Sequence, residues 1–258
     1  MKKSIYDFPD VYDAVLRASS ETIEAEVNSI VKLLKKKGIK SGRILELACG
    51  TCAHGIRLAQ KGFTVTGIDI SQKMLEGAKY RAKSARVKIE LHRANLINFN
   101  LKTKPFDCVI FMAETFPIIT KYKDIEKHFS SVRDHLKKDG IYIIDIDKHK
   151  GGIGTKYEVW GKKKVKLDNG WVKVWYESLP GDWVKGTSHM KMHCKIHLGN
   201  SVYETIDDWK IRVDSPWNLK VLVKTLKNWT LKELFSWRNL NKDISGEEHY
   251  FMVIEKVS

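Results

Sequence analysis

Cysteine and proline are scarce in this chain, 4 and 5 among 258 residues. The cysteines, at positions 49, 52, 108 and 194, are too few and too unevenly spaced for a disulfide framework in a chain of this length, so they read as reduced thiols. No run approaches the roughly 18 to 20 continuous apolar residues of a membrane helix, and the start, Met1-Lys2-Lys3-Ser4-Ile5-Tyr6-Asp7, lacks the apolar run of a signal peptide. A cytoplasmic protein is expected. Internal repeats and low-complexity linkers are missing too. Arginine is sparse against lysine, 9 to 37, and bidentate recognition of phosphate or guanine favours arginine. The net charge of +15 therefore points to an acidic partner only weakly, and a solvated face is the plainer account. With 43% hydrophobic and 30% charged residues the chain can build a sizeable core, which excludes a disordered tail protein.

Ile23, Val27, Ile30, Val31 and Leu34 recur at helical spacing between Thr22 and Lys37, and Gly38 is a suitable stop. Arg43 to Leu47 reads as a short strand running into the small-residue turn Ala48-Cys49-Gly50-Thr51-Cys52 and then a helix through Ile56, Leu58 and Ala59. The alternation goes on with strand 63–70, helix 71–83, strands 87–92 and 106–112, helix 122–137 and strand 140–147. Such βα repetition predicts an α/β, Rossmann-like, doubly wound and mostly parallel sheet. Residues 155 to about 213 lose helical periodicity, with Asp168-Asn169-Gly170 as a hairpin turn, and read as an antiparallel insertion of three to five strands. A helix from Ser215 to Lys227 and two strands around 230–237 and 249–256 then extend the first sheet to seven strands.

Small residues at the end of the first strand let a ligand approach the backbone closely. Glu46 is expected to point into that crevice and to attract a cationic group. Asp69 lies 19 positions after Gly50 at the end of the next strand, where α/β folds grip a ribose by its hydroxyls. The G-x-G-x-x-G of a dinucleotide site is absent, and a carboxylate at position 46 would repel a pyrophosphate. The implied ligand has a ribose and a cationic end.

Glu46-Leu47-Ala48-Cys49-Gly50-Thr51-Cys52 resembles motif I of the class I S-adenosylmethionine-dependent methyltransferases, (D/E)-x-(G/A)-x-G-x-G. Val65 to Leu75 is similar to the family's second-strand segment, Arg93-Ala94-Asn95-Leu96 to the adenine-holding segment, Phe106 to Ile110 to the fourth-strand motif, and Leu136 to Asp145 to the approach to strand five. The likeness spans residues 40–147 in order. It implies S-adenosylmethionine as cofactor, with Glu46, Ala48, Cys49, Gly50, Asp69, Ile70, Met74, Asn95, Leu96 and Met112 around it. Cys52 stands where the pattern has its third glycine, and Asn95 replaces the usual carboxylate, though an amide still serves adenine. The N-terminal segment and the insertion resemble the small-molecule branch, which includes glycine and sugar-amine N-methyltransferases. That likeness implies a helical lid over residues 1–40, in which Tyr6 or Tyr12 closes on the sulfonium, a core of 41–150 with 214–258, and a β insertion, 151–213, covering the acceptor pocket.

Methyl transfer from a sulfonium is an in-line displacement, so the protein mainly aligns the nucleophile and excludes water. The expected reaction delivers a methyl group to nitrogen or oxygen of a small acceptor. Glu114, in the loop after strand four, and His149, after strand five, are the catalytic candidates. Cys49 and Cys52 form a C-x-x-C without a second pair at zinc spacing, so no metal is expected. His189, Lys191, His193, Lys195 and His197 share one strand face opposite Met190, Met192, Cys194, Ile196 and Leu198. Alternate side chains are ~6.6 Å apart, too far to ligate one ion, so a basic face results that solvates or lines a pocket for an anionic acceptor. Trp160, Trp171, Trp175, Trp183 and Trp209 read as core of the small sheet, or otherwise as walls of an aromatic acceptor pocket. Lys162 to Lys166 reads as an exposed turn. An RNA methyltransferase is the alternative, but the loop after strand four lacks N/D-P-P-Y/F and no Pro-Cys marks a cytosine nucleophile. A non-catalytic cofactor-binding protein is the second alternative, and oligomeric state is open.

Overall fold

The structure is a computed structural model and describes residues 3–103, 105–147, 157–182, 184–236 and 249–257. The chain divides into two units, Met1–Arg17 with His149–Val213 and Ala18–Lys148 with Asp214–Ser258. Among the described residues no helix is long and apolar enough to cross a membrane.

The larger unit is built on strands β1 (Arg43–Leu47), β2 (Thr64–Asp69), β3 (Ile89–Arg93), β4 (Phe106–Phe111), β5 (Leu136–Asp147), β10 (Trp229–Phe235) and β11 (His249–Lys256), in the order β10-β11-β5-β4-β1-β2-β3. β1, β2, β3, β4 and β5 run parallel, and β11 is antiparallel to both β5 and β10. The seven-stranded, mostly parallel sheet expected from the βα alternation is present, extended by the last two strands. One face packs on helices α2 (Ser20–Lys36), α3 (Ala53–Gln60) and α4 (Gln72–Ser84), through Ile23, Val27, Ile30, Leu34, Ile56 and Ala78 against Ile44, Ile110, Ile141 and Ile143. The other packs on α5 (Tyr122–His135) and α6 (Pro216–Thr225), through Ile125, Phe129, Val132, Leu219 and Val223 against Leu45, Leu47, Val109, Tyr142 and Ile144. Because both faces are covered, these strands are apolar at successive positions, as parallel strands require. Helix starts are set locally: Ser19, Ser71 and Ser215 each accept a backbone N–H, and Pro216 opens α6.

Since β1 pairs with β2 on one side and β4 on the other, the connections leave it in opposite directions and a crevice opens at its carboxyl end. That end carries the small-residue turn.

The smaller unit is a four-stranded antiparallel meander: β6 (Glu158–Leu167), β7 (Gly170–Asp182), β8 (Thr187–Leu198) and β9 (Ser201–Arg212). One face buries Val172, Val174, Met192, Cys194 and Ile196 against Ile5, Val11 and Val15 of the N-terminal turn and helix α1 (Pro9–Val15). Asp207 fastens the N-terminus by accepting from the Ile5 backbone N–H at 3.0 Å. The segment 1–40 is thus not one lid element. The apolar stripe of α2 belongs to the large sheet, whereas Ile5, Val11 and Val15 belong to the small one.

Lys162 to Lys166 does not form a turn. It lies inside strand β6, where Val165 pairs with Val172 and packs on the small core while the lysines stay exposed. The tryptophans are only partly core. Trp209 packs against it, but Trp160 is 43% exposed, and Trp171 and Trp175 occupy the opposite face in stacks with His197 and His193. Strand alternation decides this, because Val172 and Val174 already hold the inner positions. Trp183 lies outside the described residues.

Candidate active site

Ala48 (φ +47°), Gly50 (φ +52°) and Cys52 (φ +58°) in the turn after β1 are all left-handed. Such residues other than glycine are costly and persist where surroundings over-determine them, typically at ligand clamps. Here Cys49 N–H donates to the Ile68 carbonyl (2.9 Å), Cys52 N–H to the Cys49 carbonyl (2.7 Å) and Gly50 N–H to Asp69 Oδ2 (2.8 Å). The turn is pinned to the end of β2. At Gly67 on β2 an added Cβ would come within 2.9 Å of Cys49 Sγ, so the approach of strand and turn requires glycine. Asp69 Oδ1 accepts from Ser71 N–H at 2.8 Å. A carboxylate offers about four acceptor sites, so capacity remains for a pair of hydroxyls. Burial raises the Asp69 pKa above its ordinary value, against the opposing pull of the Ser71 and Gly50 amides.

Glu46 does not point into the crevice. It is 3% exposed, and its Oε2 accepts from Gly55 N–H (2.8 Å) and the Cys52 thiol (3.2 Å). Its alternation with Leu45 and Leu47 turns it toward α3, where it holds the turn and the helix start together. His54 Nε2–H donates to Glu26 Oε2 at 2.7 Å, and Nδ1 lies 3.7 Å from Glu46 Oε1. Burial disfavours the charged imidazole, but the hydrogen bond to Glu26 and the Glu46, Glu26 and Asp145 charges outweigh it and raise the His54 pKa. Burial raises that of Glu46, with His54 opposing. The C-x-x-C thiols are part of this packing, since Cys52 is held well above the ordinary thiol value by its hydrogen bond with Cys49 and by burial.

The loop after β4 places Ala113 (φ +56°) and Glu114 (φ +54°) consecutively in the left-handed region. Glu114 N–H donates to Asp145 Oδ2 at 3.3 Å, and Glu114 Oε1 lies 3.0 Å from His249 Nδ1. Asp145 is 3% exposed on β5, its Oδ1 has no hydrogen-bond partner among the described residues, and burial together with Glu26 and Glu114 pushes its pKa up to about 7.

Of the other expected residues, Ile70 stands 64% exposed beside Asp69, and Leu96 and exposed Asn95 follow β3. Ala94 N–H donates to the Asp69 carbonyl at 3.0 Å, which brings that segment beside Asp69. Cys49, Met74 and Met112 are buried, so only their backbone can meet a ligand without rearrangement. Tyr6 and Tyr12 pack on the core of the smaller unit with ring centroids 5.7 Å apart. His149 lies outside the described residues. Sequence reasoning missed Glu26, His54, Asp145 and His249, whose partners are 28 or more residues away for the His54–Glu26 pair and carry no local motif. The only sequence signal was a polar residue at an apolar position of a buried strand or helix, as at Glu26 and Asp145.

The sequence pattern of a known family, described as "Methyltransferase domain", matches residues 44–140. Residues 44–140 are thus similar to a methyltransferase domain. Over 145 residues the chain is 32% identical to the glycine/sarcosine N-methyltransferase of Parasynechococcus marenigrum (strain WH8102), covering 55% of this chain and 49% of that one. It is 27% identical over 144 residues to the dTDP-4-amino-2,3,4,6-tetradeoxy-D-glucose N,N-dimethyltransferase of Saccharopolyspora spinosa, covering 55% and 56%. The match spans about half the length of these curated relatives. A solved S-adenosylmethionine-dependent methyltransferase from Clostridium acetobutylicum ATCC 824 shares the fold, with TM-score 0.79 and 20% identity over 97% of this chain and 98% of that one.

Proposed function

We propose that the chain is an S-adenosylmethionine-dependent methyltransferase acting on the nitrogen of a small amine, within the cytoplasm. The observation that carries the cofactor reading is Asp69. Its carboxylate is pinned to Gly50 and Ser71, retains acceptor capacity, and lies beside an exposed apolar side chain, Ile70. A ribose with two adjacent hydroxyls and an adenine face suit that arrangement. Asn95 Oδ1 accepts from Ile97 N–H at 2.9 Å, which leaves its amide N–H to donate to the adenine edge. The backbone of Ala48 to Gly50 and of Met112 would meet the methionine part, with Glu46 keeping the turn in shape.

The cofactor, when bound, supplies a methyl group on a cationic sulfur. The chain's own residues have three tasks: to hold the acceptor in line, to exclude water and to take one proton from the amine. Glu114 and His249 suit the third. The Glu114 carboxylate lies against Nδ1 and holds the imidazole in place. Asp145 fixes the loop by accepting from Glu114 N–H. Support for an amine acceptor comes from the relatives named for glycine and for a dTDP-amino sugar.

Incubation with methyl-labelled S-adenosylmethionine and a panel of glycine, sarcosine and amino sugars tests the reading. Label is expected in one amine. Label confined to RNA or protein, or to no product while the cofactor is bound, would overturn it.

A further inference from the structure

The small sheet turns a peculiar face away from its core. Opposite Val172, Val174, Met192, Cys194 and Ile196 lie Lys164, Lys173 and Lys195, directly paired across three neighbouring strands. Like charges placed opposite one another destabilise a sheet. Lys195 is offset by Glu204 at 3.3 Å, but among the described residues Lys162, Lys164, Lys166 and Lys173 form no ion pair. The nearby Glu177 is taken by His193 Nε2 at 3.1 Å and the Tyr157 hydroxyl at 3.1 Å. Burial and the Lys195, Lys164 and Lys173 charges together lower the His197 pKa, as expected for a concentrated positive field.

Beside this row β6 bulges between Trp160 and Lys163, with Gly161 at φ +64°. The bulge opens a hollow of about 420 Å³, lined by Val159, Lys162, Lys163, Lys164, Lys173, Val174 and Trp175. Trp175 is braced by His193, whose ring is stacked on it at 5.1 Å and 8°. A hollow of that size suits one small ligand. Its walls offer an aromatic ring and lysines at one strand spacing, ~4.8 Å.

We infer that this hollow, built from residues of the small sheet alone, is a nucleotide-binding site taking a nucleoside diphosphate with its base against Trp175 and its phosphates on Lys164 and Lys173. A second copy of the same face would bring lysine rows together and repel. A long single strand of nucleic acid needs a run of open aromatic platforms. Trp171 is not one, since it is stacked on His197 at 3.6 Å and has Lys164 4.3 Å from its ring centre. The inference uses no residue of the proposed active site, so it stands or falls apart from that reading.

Calorimetric titration of the whole chain with uridine diphosphate, inorganic diphosphate and a twelve-nucleotide oligouridylate tests it. Uridine diphosphate is expected to bind, at least tenfold more weakly to Lys164→Gln/Lys173→Gln. Trp175→Leu is expected to weaken uridine diphosphate severalfold while leaving inorganic diphosphate unchanged. Melting temperatures within a few degrees of the parent establish that both variants are folded. No binding to the parent chain, equal binding to the lysine variant, or oligouridylate binding more than a hundredfold tighter than the nucleotide would overturn the assignment.

Discussion

Single side chains around the turn after β1 are placed with little tolerance. At Gly55 an added Cβ would lie 2.5 Å from Glu46 Oε2, 2.6 Å from Cys52 Sγ and 2.9 Å from Val65 Cγ1, all of them buried. Gly55→Ala is accordingly expected to cost about 1–3 kcal/mol as overpacking, read by chemical denaturation. It should also weaken S-adenosylmethionine binding, because the displaced group is the carboxylate that shapes the turn. If Glu114 and His249 take the proton as proposed, Glu114→Gln and His249→Gln are each expected to lower kcat about 10²-fold or more, as loss of an acid–base partner does, with the KM for cofactor unchanged. A rise in cofactor KM at constant kcat would instead place the pair in cofactor binding. The two left-handed residues Ala113 and Glu114 suit this role, since backbone strain gathers where function requires it.

Elements meet around a buried charged cluster that α2, α3, β1 and β5 contribute jointly as Glu26, His54, Glu46 and Asp145. Asp145 titrates at about 7 in the fold and near the ordinary carboxylate value when unfolded, so the folded state holds the extra proton between those limits. Stability thus falls as pH rises toward 7, and the penalty is complete above it. The raised His54 pKa acts in the same sense, contributing stability below the ordinary histidine range that is lost as pH rises through its folded value. The Tm is expected to be higher at pH 6 than at pH 8, and Asp145→Asn to raise the Tm at pH 8 while changing it little near pH 5. In the small sheet, Lys173→Gln is expected to gain about 0.2–1 kcal/mol by relieving its like-charged neighbours, less at 1 M salt. The βα order, the crevice at β1 and Asp69 were legible in the sequence because each is written in contiguous residues, as period, small-residue turn and strand end. Glu46 was misjudged in direction because strand alternation fixes a face only once the helices on each face are known. The outward face of Trp171 and Trp175 and the strand over Lys162 to Lys166 are not legible in the sequence, because the inner positions of β7 are filled by valine and the bulge of β6 has no strong sequence mark. His249 reaches Glu114 from the far end of the chain, which no spacing encodes.

At the scale of the molecule, one unit supplies a doubly wound sheet with the crevice and the other a braced antiparallel sheet with a basic face. The charge of +15 is carried mainly by lysine and suits solvation and weak, salt-sensitive association with anions. A ligand that binds only the folded chain stabilises it by about 2.7 kcal/mol at a hundred times its Kd, which for a chain of this size shifts the Tm by about 5–10 °C. The central claim, that Asp69 at the end of β2 holds the ribose of S-adenosylmethionine, is tested most directly by melting the parent chain and Asp69→Asn with saturating cofactor and without it. The account predicts a shift of that size for the parent and almost none for Asp69→Asn, both variants melting cooperatively alone; equal shifts in the two would contradict it.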